Sequence, residues 1–119
     1  MKVNLKAKLS AFSETWSPRI VARLNNYDVM VAKAKGDFIW HKHDETDDFF
    51  LVVAGRLIID LRDAEGERSV ALEAGELFVV PRGVEHRPRA SEEAHILLIE
   101  SAGTPNTGDE ATAVTKVVL

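Results

Sequence analysis

Short apolar runs recur about every ten residues from Asp37 onward, and each is closed by a glycine, a proline or a charged cluster. Breaks at that spacing leave room for strands but not for ordinary helices, so the rhythm predicts an all-β sandwich or barrel. The predicted strands of this region are Phe38–His43, Phe49–Ala54, Leu57–Leu61, Ser69–Leu72, Leu77–Val80 and Ala94–Glu100.

The N-terminal residues have a helical pattern instead. Apolar residues separated by four, three and four positions predict one or two amphipathic helical turns, which are ended by Pro18. These residues are Leu5, Leu9, Phe12 and Trp16. Two further strands are predicted at Ile20–Leu24 and Val29–Ala34, joined by a tight turn at Asn25 and Asn26. We therefore expect a short N-terminal arm, helical or extended, ahead of a barrel.

A length of 119 residues predicts a single domain, because hydrophobic cores usually divide only in chains roughly twice as long. We expect the barrel core over about residues 20–100, an arm over 1–19, and a loop with a last strand, Val114–Leu119, over 101–119. The N-terminus carries no continuous apolar block, and the net charge of -4 gives no general attraction to phosphate backbones. These features indicate a cytoplasmic protein without membrane or nucleic-acid partners.

The predicted strand Phe49–Ala54 is apolar on both faces. Phe50 and Val52 lie on one side of its alternation, and we expect them to fill the barrel together with Leu77 and Val79. The opposite side of the strand is also apolar, and large exposed apolar patches are uncommon on monomers. That side requires cover from the N-terminal arm or from a second subunit, so we expect a homodimer.

Three of the chain's four histidines occur at spacings that suit a metal site, and the absence of cysteine leaves only nitrogen and oxygen ligands. His41 and His43 are two residues apart in a predicted strand, which places both imidazoles on one face. Asp48 is in phase with the inward residues of the next strand, and His86 follows a rigid turn that begins at Pro81. Such a set suits one divalent ion of Mn, Fe, Ni, Zn or Cu, with open positions for a small molecule.

Around these residues the chain resembles the cupin superfamily of small jelly-roll barrels. The first cupin motif is a glycine, a short gap, His-x-His, three or four residues, a glutamate, six residues and a glycine; its positions are occupied here by Gly36, His41, His43, Asp48 and Gly55. The second motif is a glycine, five residues and Pro-x-Gly-x-x-His, matched with every gap intact by Gly75, Pro81, Gly83 and His86. The two motifs span residues 36–86.

The resemblance implies a double-stranded β-helix, or jelly roll, with a metal held by His41, His43 and His86 at the open end of the barrel. Asp48 stands where the family has a glutamate, and its shorter side chain would reach the metal directly or through a water molecule. The gap before His41 is one residue shorter than usual, and the family's later asparagine is Ala90 here. The superfamily includes dioxygenases, isomerases, decarboxylases and ligand-sensing domains, so the resemblance implies no single reaction.

Two classes of function fit such a site. An isomerase or dioxygenase would act on a small oxygenated metabolite such as a sugar, a sugar phosphate or a carboxylate; the sequence places no base near the metal, and Glu45 or Asp47 at the rim are the candidates for that role. A binding or sensing module would hold the same ligand without turnover. We expect His95 to be an ordinary exposed or packed histidine. Arg87 and Arg89 are expected to face solvent, with phosphate or carboxylate recognition as the alternative.

Overall fold

The computed structural model describes all 119 residues and confirms an all-β jelly-roll fold with a short N-terminal helix. The elements are α1 (Leu5–Leu9), β1 (Arg19–Leu24), β2 (Tyr27–Asp37), β3 (Asp48–Ala54), β4 (Arg56–Asp63), β5 (Gly66–Glu73), β6 (Leu77–Val80), β7 (Glu85–Ser101) and β8 (Val117–Val118). The predicted turn at Asn25 is also confirmed, since this residue has a φ of 54° between β1 and β2.

The long strand β7 joins the two parts of the barrel. Along one edge it pairs with β4 and then with β3, and along the other edge it pairs with β2. A strand of 17 residues that changes partner along its length lets the sheet curve around one core. The sequence predicted only Ala94–Glu100 of this strand, because charged residues and Pro88 interrupt the apolar pattern of its first half.

A glycine makes the junction between β3 and β4. Gly55 has a φ of 82°, and a Cβ added there would lie 3.0 Å from backbone atoms of Glu93 and Ala94. Only glycine combines this left-handed conformation with so close an approach of two backbones. The chain can therefore leave β3 and continue as β4 along the same edge of β7.

The main core contains 15 buried residues inside the barrel. Its most deeply buried side chains include Met30, Val52, Leu57, Ile59, Leu61 and Val80. Phe50 and Val52 face this core as predicted. The same prediction for Leu77 and Val79 is wrong, because these side chains are 55% and 42% exposed while Val80 is buried. All four residues of β6 are apolar, so its sequence carries no periodicity from which to choose the inward face.

The predicted strand Phe38–His43 is absent. Residues 38–40 are irregular, and His41 makes a single isolated bridge to His86. The Phe38 N–H donates to the carbonyl of Pro88 at 2.9 Å, but Pro88 has no N–H with which to continue a ladder. Both His41 and His43 are buried, as the prediction of a shared inward face requires. Their burial does not result from the alternation of a strand, however, because this segment is not a strand.

The helix α1 is shorter than the spacing of apolar residues predicts. It ends at Leu9, and Phe12 and Trp16 follow in non-helical chain. Leu9 and Phe12 pack with Val21 and Val31 in a second, smaller cluster. Trp16, with a φ of 56°, packs instead against the main core. The four residues serve two separate clusters, so their spacing does not describe one helical face.

Residues 102–116 form a long connection between β7 and β8. Within it Gly108 has a φ of 76°, and an added Cβ would lie only 2.0 Å from the carbonyl oxygen of Lys42. This connection therefore packs directly on the chain between His41 and His43. The predicted strand Val114–Leu119 is reduced to β8, which pairs in parallel with β1. No helix has the length and apolar character needed to cross a membrane.

Candidate metal centre

Four buried polar side chains from three segments meet in the interior: His41 and His43 before β3, Asp48 at the start of β3, and His86 in β7. The backbone holds these segments together. The N–H of His41 donates to the carbonyl of His86 at 3.0 Å, and the N–H of His86 donates to the carbonyl of His41 at 2.8 Å. The N–H of Gly83 donates to the carbonyl of His43 at 2.8 Å. The turn before His86 thus fixes its position relative to the other two histidines.

One imidazole nitrogen from each histidine and one carboxylate oxygen of Asp48 lie within 4.8 Å of one another. His86 Nε2 is 2.9 Å from Asp48 Oδ2. His43 Nε2 is 3.3 Å from the same oxygen, in an orientation too poor for a hydrogen bond. The rings of His41 and His86 have centroids 4.3 Å apart. The structure therefore brings together all four residues that the sequence singled out.

Backbone carbonyls orient two of the imidazoles. His41 Nδ1 lies 2.9 Å from the carbonyl oxygen of Ile39, and His86 Nδ1 lies 2.9 Å from that of Val84. A carbonyl oxygen only accepts, so each Nδ1 carries a hydrogen and donates it. In the neutral rings this leaves a lone pair on each Nε2, which is the arrangement commonly found for histidines that ligate a metal.

The hydrogen bonding of the cluster is incomplete without a cation. His86 Nδ1 donates to the carbonyl of Val84, so the contact of its Nε2 with Asp48 Oδ2 at 2.9 Å is a hydrogen bond only where the ring carries a second proton. His43 Nε2 and Asp48 Oδ1 are also buried, and neither has a hydrogen-bond partner. Buried polar atoms are rarely left unpaired. A proton shared within the cluster, or a metal ion among these atoms, would resolve the mismatch.

The electrostatics of the cluster also suit a cation. Burial and the neighbouring His86 lower the pKa of His41 from its usual 6.5 to about 4, so this ring is neutral at ordinary pH. Burial opposes charge on both His43 and Asp48, but their mutual attraction outweighs it. The pKa of His43 is therefore raised and that of Asp48 lowered. A metal ion would take the place of the proton on His43 beside an ionised carboxylate.

A narrow apolar cavity reaches His41 and Asp48. Its apolar walls are Trp16, Phe38, Phe50, Pro88, Ile96 and Leu98. The rings of Trp16 and Phe38 stack with centroids 5.0 Å apart, and the Trp16 indole N–H donates to the carbonyl of Lys35 at 2.8 Å. The cavity has a volume of about 40 Å³, enough for about three water molecules.

Glu100 is a further polar residue at this cavity, beside His41 and Asp48, and it was not among the residues singled out from the sequence. It lines the cavity and is 5% exposed. Burial and the nearby charge of Asp48 raise the pKa of Glu100 to about 7. A signal was present in the sequence, because Glu100 continues the alternation of Ile96 and Leu98, both of which face inward. A charged residue at an inward position of an apolar strand is a candidate for function.

The two acidic residues expected at the rim do not take part. Glu45 and Asp47 are exposed, and neither lines the apolar cavity. Asp47 accepts a hydrogen bond at 2.9 Å from the backbone N–H of Arg82, which orders the turn before His86. Neither residue therefore faces the apolar cavity, although Glu45 lines a separate surface depression together with His43.

The other polar residues considered from the sequence lie elsewhere. His95 contacts Glu93 at 2.9 Å and is partly exposed. Arg87 and Arg89 both bind the buried carboxylate of Asp60, at 2.9 and 2.8 Å. Their side chains are 29% and 37% exposed, so they are held in an ion-pair network instead of extending freely into solvent. None of these residues belongs to the histidine cluster.

Residues 28–100 match the family of cupin domains, and this stretch contains all four clustered residues and Glu100. The chain belongs to the cupin family. A solved cupin-2 domain protein from Shewanella frigidimarina NCIMB 400 is 43% identical to this cupin, with a TM-score of 0.78 over 83% of this chain and 93% of the other. YdbB, an uncharacterised protein of Bacillus subtilis (strain 168), is 31% identical over 87 residues, which are 73% of this cupin and 74% of YdbB.

This cupin is also similar to an enzyme, the 3-hydroxyanthranilate 3,4-dioxygenase of Xanthomonas euvesicatoria pv. vesicatoria (strain 85-10). The two are 29% identical over 69 residues, which are 58% of this cupin and 39% of the dioxygenase. The resemblance to cupins that the two motifs indicated is thus confirmed, and the similarity extends to part of a dioxygenase.

Proposed function

We propose that this cupin is a metal-dependent dioxygenase that opens the ring of a small hydroxylated aromatic molecule, with one ferrous ion held by His41, His43, Asp48 and His86. The observation that carries the proposal is the incomplete hydrogen bonding of the cluster. His86 Nε2 faces a carboxylate oxygen of Asp48 at 2.9 Å, and two further buried polar atoms, His43 Nε2 and Asp48 Oδ1, have no hydrogen-bond partner. One cation held by these side chains would give the buried atoms the partner that the protein does not supply.

The donor set fits such an ion. Imidazoles and a carboxylate suit several divalent transition metals, and sites that combine histidines with one carboxylate are typical of non-haem ferrous oxygenases. The similarity to a dioxygenase favours iron over the other metals. Bound iron would supply the activation of dioxygen and would orient a hydroxylated substrate. Both oxygen atoms enter the ring-opened product, so the reaction needs no external reductant.

The walls of the cavity support an aromatic substrate. Trp16, Phe38 and Phe50 offer ring faces and edges against which another aromatic ring packs favourably. A sugar would leave several hydroxyl groups without partners against such walls, which is costly. The arginines considered for phosphate recognition are bound to Asp60 and do not line this cavity. We therefore place a small aromatic molecule ahead of a sugar or a sugar phosphate.

Substrate entry requires part of the wall to move. A cavity of about 40 Å³ is smaller than the roughly 150 Å³ in which a protein interior holds benzene. Most of the wall belongs to strands or, at Phe38 and His41, is hydrogen-bonded to β7 through the backbone. Trp16 and Pro18 lie in the irregular N-terminal chain, and Asn106 lies in the connection to β8. These three residues are the part of the wall that we expect to be displaced.

Oxygen uptake tests the proposal. Protein loaded with ferrous iron is supplied with catechol, hydroquinone and 3-hydroxyanthranilate, and oxygen consumption and ring-opened products are followed by electrode and mass spectrometry. We expect uptake with at least one of them, absent from zinc-loaded protein and from the His86→Ala variant. Binding of these molecules without oxygen uptake would instead identify a binding or sensing module. Failure to retain iron would contradict the proposal.

We also propose that a second copy of the chain covers the outer face formed by β3, β6 and the end of β7. The arm covers only the part of the outer surface around Val31, and β6 is an edge strand. The centre of the remaining face is apolar, and charged residues lie along one edge, at Glu45, Asp47 and Arg82, so two copies can bury the apolar centre against each other. Its residues are Phe49, Leu51, Leu77, Val79, Leu97 and Ile99. Sedimentation should give a dimer, and Leu77→Glu should give a monomer; a monomeric native protein would refute this assembly.

A further inference from the structure

Glu100 lies beside the candidate metal centre on a rigid part of the fold. Phe49 on β3 pairs with Ile99 on antiparallel β7, so the next residues on the two strands, Asp48 and Glu100, are neighbours. Glu100 lines the same cavity as Asp48 and His41 and is almost completely buried. Its carboxyl group is therefore next to the cluster and directed into the space that a ligand would occupy.

Only one of the two carboxyl oxygens of Glu100 accepts a hydrogen bond from the protein. Lys116, from the segment before β8, donates to Oε2 at 3.0 Å and also binds the carbonyl oxygen of Thr104. The other oxygen, Oε1, accepts no hydrogen bond from the protein. The Lys116 contact fixes the side chain, and Oε1 remains available to a molecule in the cavity.

A purely structural role explains this arrangement poorly. A buried carboxyl group next to an ionised aspartate is unfavourable, and the pKa of Glu100, raised by burial and by Asp48, reflects that cost. An apolar residue would continue the pattern of Ile96 and Leu98 without it. A polar group placed at a costly position in a cavity with convergent ligands is a recurrent feature of functional sites.

We propose that Glu100 is a ligand-contacting residue of this site, whose Oε1 binds a second hydroxyl group of an aromatic molecule that presents its first hydroxyl to the metal. This inference rests on the proposed function and deepens it, since it selects aromatic diols with neighbouring hydroxyl groups over simple phenols. A hydroxyl group both donates and accepts, so it can pair with Glu100 in either protonation state of the carboxyl group.

Binding of two probes to zinc-loaded protein tests the inference without turnover. Catechol has the second hydroxyl group and phenol lacks it, and calorimetry or tryptophan fluorescence gives both dissociation constants. We expect Glu100→Met to weaken catechol binding at least about tenfold, the cost of losing a hydrogen bond to such a group, with phenol binding unchanged. The exposed residue Glu110 supplies a matched control, and Glu110→Gln should retain the catechol preference.

The double variant Glu100→Met/Lys116→Met guards against loss of fold, because it removes both members of the buried pair and leaves no unpaired charge. It should show the same selective loss of catechol binding. Equal weakening of both probes, an unchanged preference for catechol, or no binding of either probe by the native protein would overturn the inference. Because zinc-loaded protein does not turn over, a missing oxygen uptake by the iron-loaded protein refutes only the proposed reaction.

Discussion

Replacing Glu100 by glutamine should change how the stability of the metal-free protein depends on pH. The pKa of Glu100 is raised from its usual 4.5 to about 7 in the folded chain, by burial first and by the charge of Asp48 second. Lys116 and His43 oppose the shift, and on the other side Asp28 of β2 lies opposite Glu100 in register, paired with Arg23. The folded protein therefore keeps a proton on Glu100 at pH values where the unfolded chain has lost it.

The sign and size of the effect follow from this difference in bound protons. The protonated carboxyl group favours the folded state below about pH 4.5, and this contribution is lost as the pH rises through about 7. Between about pH 5 and pH 8 the loss amounts to about 2 to 3 kcal/mol, at about 1.4 kcal/mol per pKa unit. Glutamine does not titrate, so Glu100→Gln should become more stable relative to the native protein by that amount over this range.

Denaturant unfolding followed by tryptophan fluorescence, in the presence of a chelator, measures this difference at several pH values. In thermal unfolding, the melting temperature of Glu100→Gln minus that of the native protein should be roughly 10 °C larger at pH 8 than at pH 5 for a domain of this size. Glu110→Gln, at an exposed position, is the matched control and should show no such trend. If the stability difference between Glu100→Gln and the native protein is the same at every pH, the reasoning about the buried carboxyl group is refuted.

Three further predictions concern the cavity, the metal centre and the segment that packs on it. Gly108→Ala should destabilise the protein by about 1 to 3 kcal/mol, because its Cβ would lie 2.0 Å from Lys42 O; Gly103→Ala, equally left-handed but in open space, should cost less, and equal melting temperatures would contradict this. Metal affinity should fall as the pH decreases, beginning above the usual histidine pKa of 6.5, since the raised pKa of His43 makes protons compete with the metal; calorimetry at several pH values that found no change would count against His43 as a ligand. Trp16 lines the cavity, so catechol binding should alter tryptophan fluorescence in the native protein and not in Trp16→Phe, where a persistent change would locate the ligand elsewhere.

The strand pattern and the histidine cluster could be predicted because their signals are local. Turn residues mark where each strand stops, and the second cupin motif sets the turn that positions His86. The backbone conformation that brings His41 and His43 into the cluster could not be predicted in the same way. Residues 38–43 have the composition of a strand, but Phe38 faces Pro88, which cannot complete a ladder, and only an isolated bridge from His41 to His86 forms.

Features that depend on contacts distant in sequence were missed. The inward face of β6 is set by its pairing with β3, because its own four residues are uniformly apolar. Lys116 reaches Glu100 because the connection between β7 and β8 folds back against the barrel. No local sequence pattern predicts that course of the chain. Trp16 has the spacing of a helical residue but joins a different cluster from Leu9.

Titration of the metal-free protein with ferrous iron under argon tests the central claim most directly. Calorimetry should give one ion per chain, and His41→Ala, His43→Ala, Asp48→Ala and His86→Ala should each weaken binding strongly while circular dichroism shows the β fold intact, because the core is apolar elsewhere. Absence of saturable binding in the native protein, or unchanged binding in the four variants, would contradict the assignment of a metal centre to these residues.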